Sequence, residues 1–151
     1  MKTLRIGVAP LALLALSGCQ AAPADAPPAT AAAAMPVDAL PLEPGYYVRT
    51  DETCADASAA GVHLVNRAGM RWVTSHCLFE RIEHLGGSSY RVQQSCGDHH
   101  GAGLGTAMYE VPDPTSFSFE DDAGWAHAAR LCPQEQLPEP WRSEDLSGLV
   151  D

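Results

Sequence analysis

Short apolar runs separated by turn residues constrain the fold of this chain more than any other feature of its sequence. Between residues 45 and 132 the runs lie at 45–49, 62–66, 70–77, 78–85, 88–96, 117–120 and 125–132. Their length and their content of Tyr, Val, Phe and Trp are typical of strands, and only residues 55–60 could form a single helical turn. The pattern predicts an all-β domain of six or seven short antiparallel strands, joined as a meander that closes into a small barrel or a sandwich.

Two turns share one pattern, in which an Asn or Asp opens the turn and a glycine closes it. They are Asn66-Arg67-Ala68-Gly69 and Asp121-Asp122-Ala123-Gly124. Both suit a type I turn whose last glycine has a left-handed backbone, and a large apolar residue restarts the strand after each. We therefore predict a hairpin at each position.

A third hairpin is predicted at Gly86-Gly87, and it permits two strand registers. A two-residue loop opposes Cys77 to Cys96, where a disulfide would contribute about 3 kcal/mol. A three-residue turn instead opposes Ile82 to Val92 and gives a comparably apolar face. A β-bulge between the two pairs would reconcile the registers.

The first residues have the pattern of an export signal. Lys2 and Arg5 precede an apolar run at 6–16, which is too short to span a bilayer because a transmembrane helix needs about 20 apolar residues. The run ends in Leu16-Ser17-Gly18-Cys19, which resembles the lipobox of bacterial lipoproteins. The resemblance implies that residues 1–18 are a signal peptide and that acyl chains such as palmitate are attached to Cys19, which becomes the membrane anchor.

The residues after the lipobox suggest a location and a domain order. In the sorting rule of enteric lipoproteins an Asp after the cysteine favours the inner membrane, so Gln20 implies anchoring in the outer membrane, facing the periplasm. Residues 19–44 are rich in Ala and Pro, which predicts a disordered tether. The β-domain follows at 45–132, and an acidic extension at 133–151 is expected to pack on it through Trp141.

Cysteine usage agrees with an exported domain. With Cys19 set aside for lipid, an even number remains, which predicts two disulfides in an oxidising compartment. No two of these cysteines have the C-x₂-C spacing of a zinc site. The hairpin register favours the pair Cys77–Cys96, which leaves Cys54 for Cys132.

The charge of the chain excludes some classes of partner. Without residues 1–18 it has seven Arg, no Lys and nineteen carboxylates, a net charge of −12 with His neutral. Such a surface argues against nucleic acid and against adsorption to anionic lipid headgroups. It is compatible with a basic partner, and also with an acidic surface that only keeps the domain soluble.

A glycine-rich stretch at 97–105 contains the candidate metal ligands Asp98, His99 and His100. Adjacent side chains of an extended segment point apart, so a site there would need another ligand, for which the sequence offers His76, His84 or His127. A solvated loop explains the same residues without a metal.

A second group of soft ligands lies in the run at 70–77. If that run is one strand, Met70, Trp72 and His76 share a face that could bind Cu(I). An apolar strand interior, with the histidine near the rim, is the alternative explanation.

The sequence contains no nucleophile and base in an arrangement that would predict an enzyme. Ser75 and His76 face opposite sides of a strand, and Ser95 lacks a nucleophile-elbow pattern. Asp121-Asp122 belongs to a turn. No cofactor motif is present either, so catalysis and a resident cofactor are not expected.

We therefore expect a non-catalytic module that binds an envelope protein or peptidoglycan near the membrane, where an anchor and tether raise its local concentration. In compartment, size, cysteine content and acidity the chain is similar to small disulfide-bridged β lipoproteins of Gram-negative envelopes, including the periplasmic lysozyme inhibitors. That similarity implies inhibition of a lysozyme as one alternative. Periplasmic metal binding through Asp98, His99 and His100 is the other.

Overall fold

The computed structural model describes residues 33–149, so the expected signal peptide, Cys19 and most of the expected tether lie outside the described residues. The described chain forms nine strands: β1 Met35–Val37, β2 Gly45–Arg49, β3 Val62–Asn66, β4 Gly69–Arg71, β5 Ser75–Gly86, β6 Ser89–Asp98, β7 Gly101–Asp113, β8 Ser116–Asp121 and β9 Ala126–Leu131. Two 3₁₀ turns follow at Gln134–Gln136 and Trp141–Ser143. No helix in this part of the chain is long and apolar enough to cross a membrane.

The strands from β2 to β9 form a closed antiparallel barrel. Each pairs with the next along the chain, and β2 pairs with β9 to close the eight-stranded ring. The extra strand β1 pairs with the end of β5, beside the part of β5 that pairs with β4. The predicted all-β meander is confirmed, and the barrel is correct rather than the sandwich.

The predicted count of six or seven strands is wrong because it omits β1 and β7, and the boundary between β4 and β5 also differs from the predicted one. Strand β1 lies in the segment expected to be tether. The run at 70–77 is split, because the chain turns after Arg71 and the Trp72 N–H donates to the Ser75 carbonyl. Strand β7 begins at Gly101, inside the stretch expected to be a loop; small residues there allow close pairing, and a Cβ added to Gly97 would lie 3.1 Å from the Cβ of Ala102.

Alternation of side chains fills the barrel interior, since every second residue of a strand faces the same side. The interior side chains are mostly aromatic or branched aliphatic; the buried ones are Leu40, Tyr47, Val65, Met70, Ile82, Val92, Ala107, Tyr109, Val111, Phe117, Phe119 and Ala129. This core leaves the two ends of the barrel to be closed in other ways.

Residues 38–44 cross one end of the barrel. Leu40 is buried against the core. The Glu43 N–H donates to the carbonyl of Pro114 in the β7–β8 turn, and the Tyr47 hydroxyl shares its one proton between the carbonyls of Glu43 and Pro114, each 2.9 Å away. We call this the closed end.

The residues after β9 pack on the outer face of β2 and β3. Leu137 is fully buried there, and Trp141 is partly buried in the same cluster. Because this layer covers the outer face, Tyr46 and Val62 are buried on the side that would otherwise meet water. The expected packing of Trp141 is thus observed.

The long β5–β6 hairpin contains both registers that the sequence permits. Cys77 is opposite Cys96, while Ile82 is opposite Val92, and a register shift between Phe79 and Arg81 separates the two pairs. The loop itself is Gly87-Ser88, because Gly86 pairs with Ser89. The bulge proposed to reconcile the registers is therefore present.

The cysteines lie in the two expected pairs at disulfide-bonding distance. The Cα atoms of Cys77 and Cys96 are 4.0 Å apart, and those of Cys54 and Cys132 are 5.8 Å apart. The second pair ties the β2–β3 connection to the residue after β9.

The two Asx-to-glycine turns form the expected hairpins, but their glycines serve different purposes. Gly124 has the expected left-handed backbone, with φ of 81°. Gly69 does not: its φ is 158°, close to extended, and a side chain there would collide with the carbonyl oxygen of Cys77 on β5. Asn66 accepts hydrogen bonds from the N–H groups of Ala68 and Gly69 at 3.0 Å.

Candidate functional site

Three aromatic rings meet at the end of the barrel opposite the closed end. Trp72 follows β4, Phe119 lies near the end of β8, and Trp125 precedes β9. The ring centroids of Trp72 and Trp125 are 5.7 Å apart, and those of Phe119 and Trp125 are 5.3 Å apart. The β8–β9 turn holds Trp125 at the rim, because the carboxylate of Asp121 accepts hydrogen bonds from the N–H groups of Ala123 and Trp125.

These rings form one wall of a cleft of about 320 Å³, which we call the mouth cleft. Its lining combines the rings with the Cys77–Cys96 pair, one buried amide and two carboxylates; the lining residues are Trp72, Ser75, Cys77, Gln94, Cys96, Gly97, Asp98, Gly101, Phe119, Asp121 and Trp125. Trp125 is 49% exposed, although it belongs to the wall. Exposed tryptophan is enriched at recognition surfaces, because its large ring is apolar and its N–H can still donate a hydrogen bond.

Gln94 supplies the buried amide of the mouth cleft. It is 4% exposed, and its Oε1 accepts a hydrogen bond from the Tyr109 hydroxyl at 3.2 Å. Its Nε2 makes no hydrogen bond to any other residue in 33–149, so a donor remains available in the cleft.

Behind the rings lies a pair of histidines inside the barrel. The imidazole centroids of His63 on β3 and His127 on β9 are 4.5 Å apart, and His63 is fully buried. Trp72 packs on His63 at 5.2 Å, and Phe119 packs on His127 at 4.4 Å. The four imidazole nitrogens and the Trp72 Nε1 are buried without a hydrogen-bond partner among the described residues.

Burial keeps both imidazoles neutral. It is the main cause that lowers the pKa of His63 to about 3, with further lowering from His127 and Arg49. Burial also lowers the pKa of His127 to about 4, where Arg49 acts in the same direction and Asp51 opposes it. The Arg49 guanidinium is itself held by the Asp51 carboxylate through hydrogen bonds of 2.7 and 3.1 Å.

The predicted metal ligands lie together on the β6–β7 hairpin, which is tighter than the expected loop. Asp98 pairs with Gly101, so the turn consists of His99 and His100, whose ring centroids are 3.8 Å apart. The Asp98 carboxylate accepts a hydrogen bond from the His100 N–H at 2.7 Å and also lines the mouth cleft. Across residues 33–149, no three His, Cys, Asp or Glu side chains are grouped so that they could hold a metal ion.

The additional histidines named for that site are spread over the barrel. His127 lies inside it, His76 is exposed on β5, and His84 lies 3.0 Å from the Gly87 carbonyl at the β5–β6 turn. The face expected to join Met70, Trp72 and His76 is also wrong. Because the chain turns between β4 and β5, Met70 and Trp72 face the interior while His76 faces solvent.

The sequence predicts only some of the residues that line the mouth cleft. It indicates Asp98 as a candidate ligand, Asp121 as a turn residue and the pairing of Cys77 with Cys96. The proximity of His63 to His127 has no local signal, because it depends on the closure of the barrel between β2 and β9. Comparison with protein-family models, curated proteins and solved structures finds no match to this chain.

Proposed function

We propose that this protein is a non-catalytic binding module of the bacterial cell envelope. The observation that carries the proposal is the mouth cleft, the end of the packed barrel where the exposed Trp125 and the partly buried Trp72 lie with two carboxylates in one lining. Function often resides on the loops at one end of a rigid scaffold, since those loops vary without disturbing the core. Two cysteine pairs and a closed ring of strands give this scaffold its rigidity.

The proposal includes a lipid anchor at Cys19 in the outer membrane, facing the periplasm. Its support is the lipobox at 16–19 and the Gln that follows it. Labelling of cells with a palmitate analogue should mark the wild-type chain and leave Cys19→Ser unmarked, and the label should sediment with outer-membrane fractions. An unmarked wild-type chain would remove the anchor from the proposal and leave the cleft untouched.

Binding is tested with the non-lipidated chain (Cys19→Ser), purified with its disulfides intact. Immobilised on beads, it should retain a specific component from envelope extract. The component is identified as protein or peptidoglycan by mass spectrometry and amino-sugar analysis. A matched bead carrying the same chain after reduction and alkylation with iodoacetamide is the control, because loss of both disulfides disrupts the cleft while the amino-acid sequence and the net charge stay the same. Turnover of a substrate by the purified chain would refute a non-catalytic module.

Inhibition of lysozyme is a narrower form of the same proposal. Its support is the acidity of the chain, because a net charge of −12 attracts a basic muramidase. Lysozyme assays at low and at moderate salt should show inhibition that weakens as salt rises. Full lysozyme activity at a tenfold excess of the chain would exclude this form.

Metal binding by the β6–β7 turn is a second candidate function. The observation that favours it is the proximity of the exposed His99 and His100 rings, whose centroids are 3.8 Å apart. Calorimetric titration with Zn(II), Cu(II) and Ni(II) tests it, with His99→Ala/His100→Ala as the variant and His76→Ala as the control. Affinity that is only millimolar, or that survives the double variant, would exclude the candidate.

A further inference from the structure

We propose that the mouth cleft receives a Lys or Arg side chain from a basic protein partner. This inference rests on the proposed binding function and gives its partner a chemical class. It follows from three properties of the cleft: its charge, its aromatic wall and its size.

The charge of the mouth cleft is negative. Asp98 and Asp121 line it, and no Lys or Arg does. Arg49, the cation that acts on His127 behind the rings, is already held by Asp51 through two hydrogen bonds. Each of the two lining carboxylates keeps acceptor capacity, because a carboxylate has about four lone-pair sites and the turn bonds occupy one or two of them.

The aromatic wall attracts the same kind of group. Trp72 and Trp125 present rings to one space, with the buried Phe119 packed edge-on against Trp125, and a cation over an accessible ring gains affinity from the ring quadrupole. A guanidinium suits this wall particularly, since its plane stacks on a ring while its edge donates to a carboxylate. Because aromatic rings and carboxylates line the same cleft, one guanidinium side chain could contact both.

The size and surroundings of the cleft also favour a side chain over a larger ligand. A volume of about 320 Å³ is at the lower limit of small-molecule sites, which run from roughly 300 to 1,000 Å³. A net charge of −12 on the mature chain raises the encounter rate of a basic protein and repels an acidic one. Peptidoglycan strands carry free carboxylates, so the same field disfavours them.

A neutral saccharide is the competing occupant. Sugar rings stack on tryptophan, and the free Nε2 of Gln94 would suit a hydroxyl or an acetamido carbonyl. A neutral saccharide would gain no Coulombic attraction from the two carboxylates, whereas a cation would. A probe that loses its charge but keeps its shape therefore distinguishes a site for a cation from a site for a neutral saccharide.

The test uses calorimetry on the non-lipidated chain with three probes: a hexa-arginine peptide, its hexa-citrulline analogue, which has nearly the same shape without charge, and chitotetraose. Hexa-arginine should bind with one-to-one stoichiometry, and its affinity should fall about tenfold or more between 50 and 500 mM NaCl. Hexa-citrulline and chitotetraose should each bind at least tenfold more weakly than hexa-arginine. Tighter binding of chitotetraose than of hexa-arginine would overturn the inference.

Variants locate the binding. Trp125→Ala should weaken hexa-arginine binding by about two- to thirty-fold, the range of a cation–π contact. Asp98→Asn/Asp121→Asn should also weaken it, and Asn preserves the acceptor that each turn needs. Glu110→Gln/Asp113→Asn is the matched control: it removes two charges near the closed end and should change affinity less than twofold. Equal losses in both double variants would mean general attraction to a polyanion and would overturn the inference.

The proposed function and this inference can fail separately. If beads carrying Trp125→Ala and wild-type beads retain the same envelope component equally, the binding module stands and its use of the mouth cleft is refuted. If hexa-arginine binds the cleft but the chain turns over a substrate, the non-catalytic function is refuted. The far-ultraviolet circular dichroism of each variant must match that of the wild type, and Trp125→Leu, which keeps an apolar side chain without a ring, replaces Trp125→Ala if it does not.

Discussion

His63 should make the barrel sensitive to mild acid. Its imidazole is fully buried and its pKa is lowered to about 3, whereas an unfolded histidine has a pKa of about 6.5. Below pH 6.5 the unfolded chain therefore binds a proton that the folded chain excludes. The contribution of this neutral imidazole to stability is complete above pH 6.5 and is lost progressively as the pH falls from 6.5 towards 3.

The magnitude follows from the distance between the working pH and the unfolded pKa. At pH 5 that distance is about 1.5 units, and each unit corresponds to about 1.4 kcal/mol, so His63 should lower the free energy of unfolding by about 2 kcal/mol relative to pH 7. His127 shifts in the same direction and adds to the loss. The carboxylates with lowered pKa, such as Asp113, act at lower pH, so the interval from 7 to 5 isolates the histidines.

Urea unfolding followed by tryptophan fluorescence at pH 7 and pH 5, at equal ionic strength and without reductant, measures the effect. His63→Leu keeps an apolar side chain of similar volume and should remove about 2 kcal/mol of the pH dependence. It should be no less stable than the wild type at pH 7, because it also removes two unpaired buried nitrogens. His100→Ala, on the exposed turn, is the control and should retain the wild-type pH dependence. An unchanged pH dependence in His63→Leu would refute the reasoning.

Three further substitutions test other parts of the fold. Cys77→Ala/Cys96→Ala opens a loop of 19 residues and should cost about 3 kcal/mol in urea unfolding; a loss below 1 kcal/mol would contradict the role given to this pair. Gly69→Ala should cost at least about 1–3 kcal/mol, because its Cβ collides with the β5 backbone, while Gly103→Ala, with open space around it, should be nearly neutral in the same assay. Leu137→Ala should lower the free energy of unfolding by about 2–5 kcal/mol if the C-terminal layer is part of the core. A variant that unfolds at the same temperature as the wild type would show that this layer does not contribute to the core.

Local patterns predicted the hairpins well because the cause of each hairpin is local. Asn66 and Gly69 form a turn through bonds that span three residues, and the alternatives at Gly86-Gly87 anticipated a bulge that the strands contain. The pair Cys77–Cys96 follows from the same register, and Cys54 with Cys132 is the pair that remains. These local features are determined by residues that are close in the sequence, so they can be predicted from one sequence alone.

The parts that escaped prediction depend on contacts between distant segments. Strand β7 starts among glycines, and only its pairing with β6 makes it a strand. His63 and His127 become neighbours because β2 pairs with both β3 and β9, a closure that no short motif encodes. The mouth cleft shares this origin, since its wall combines Trp72 with Trp125 from opposite halves of the domain.

The path of β1 decides which end of the barrel the chain enters. Met35 pairs with His84, near the β5–β6 turn, so the chain enters the domain at the closed end. A force applied at Met35 would therefore act first on the pairing of β1 with β5, and it would reach the mouth cleft only through the length of the barrel.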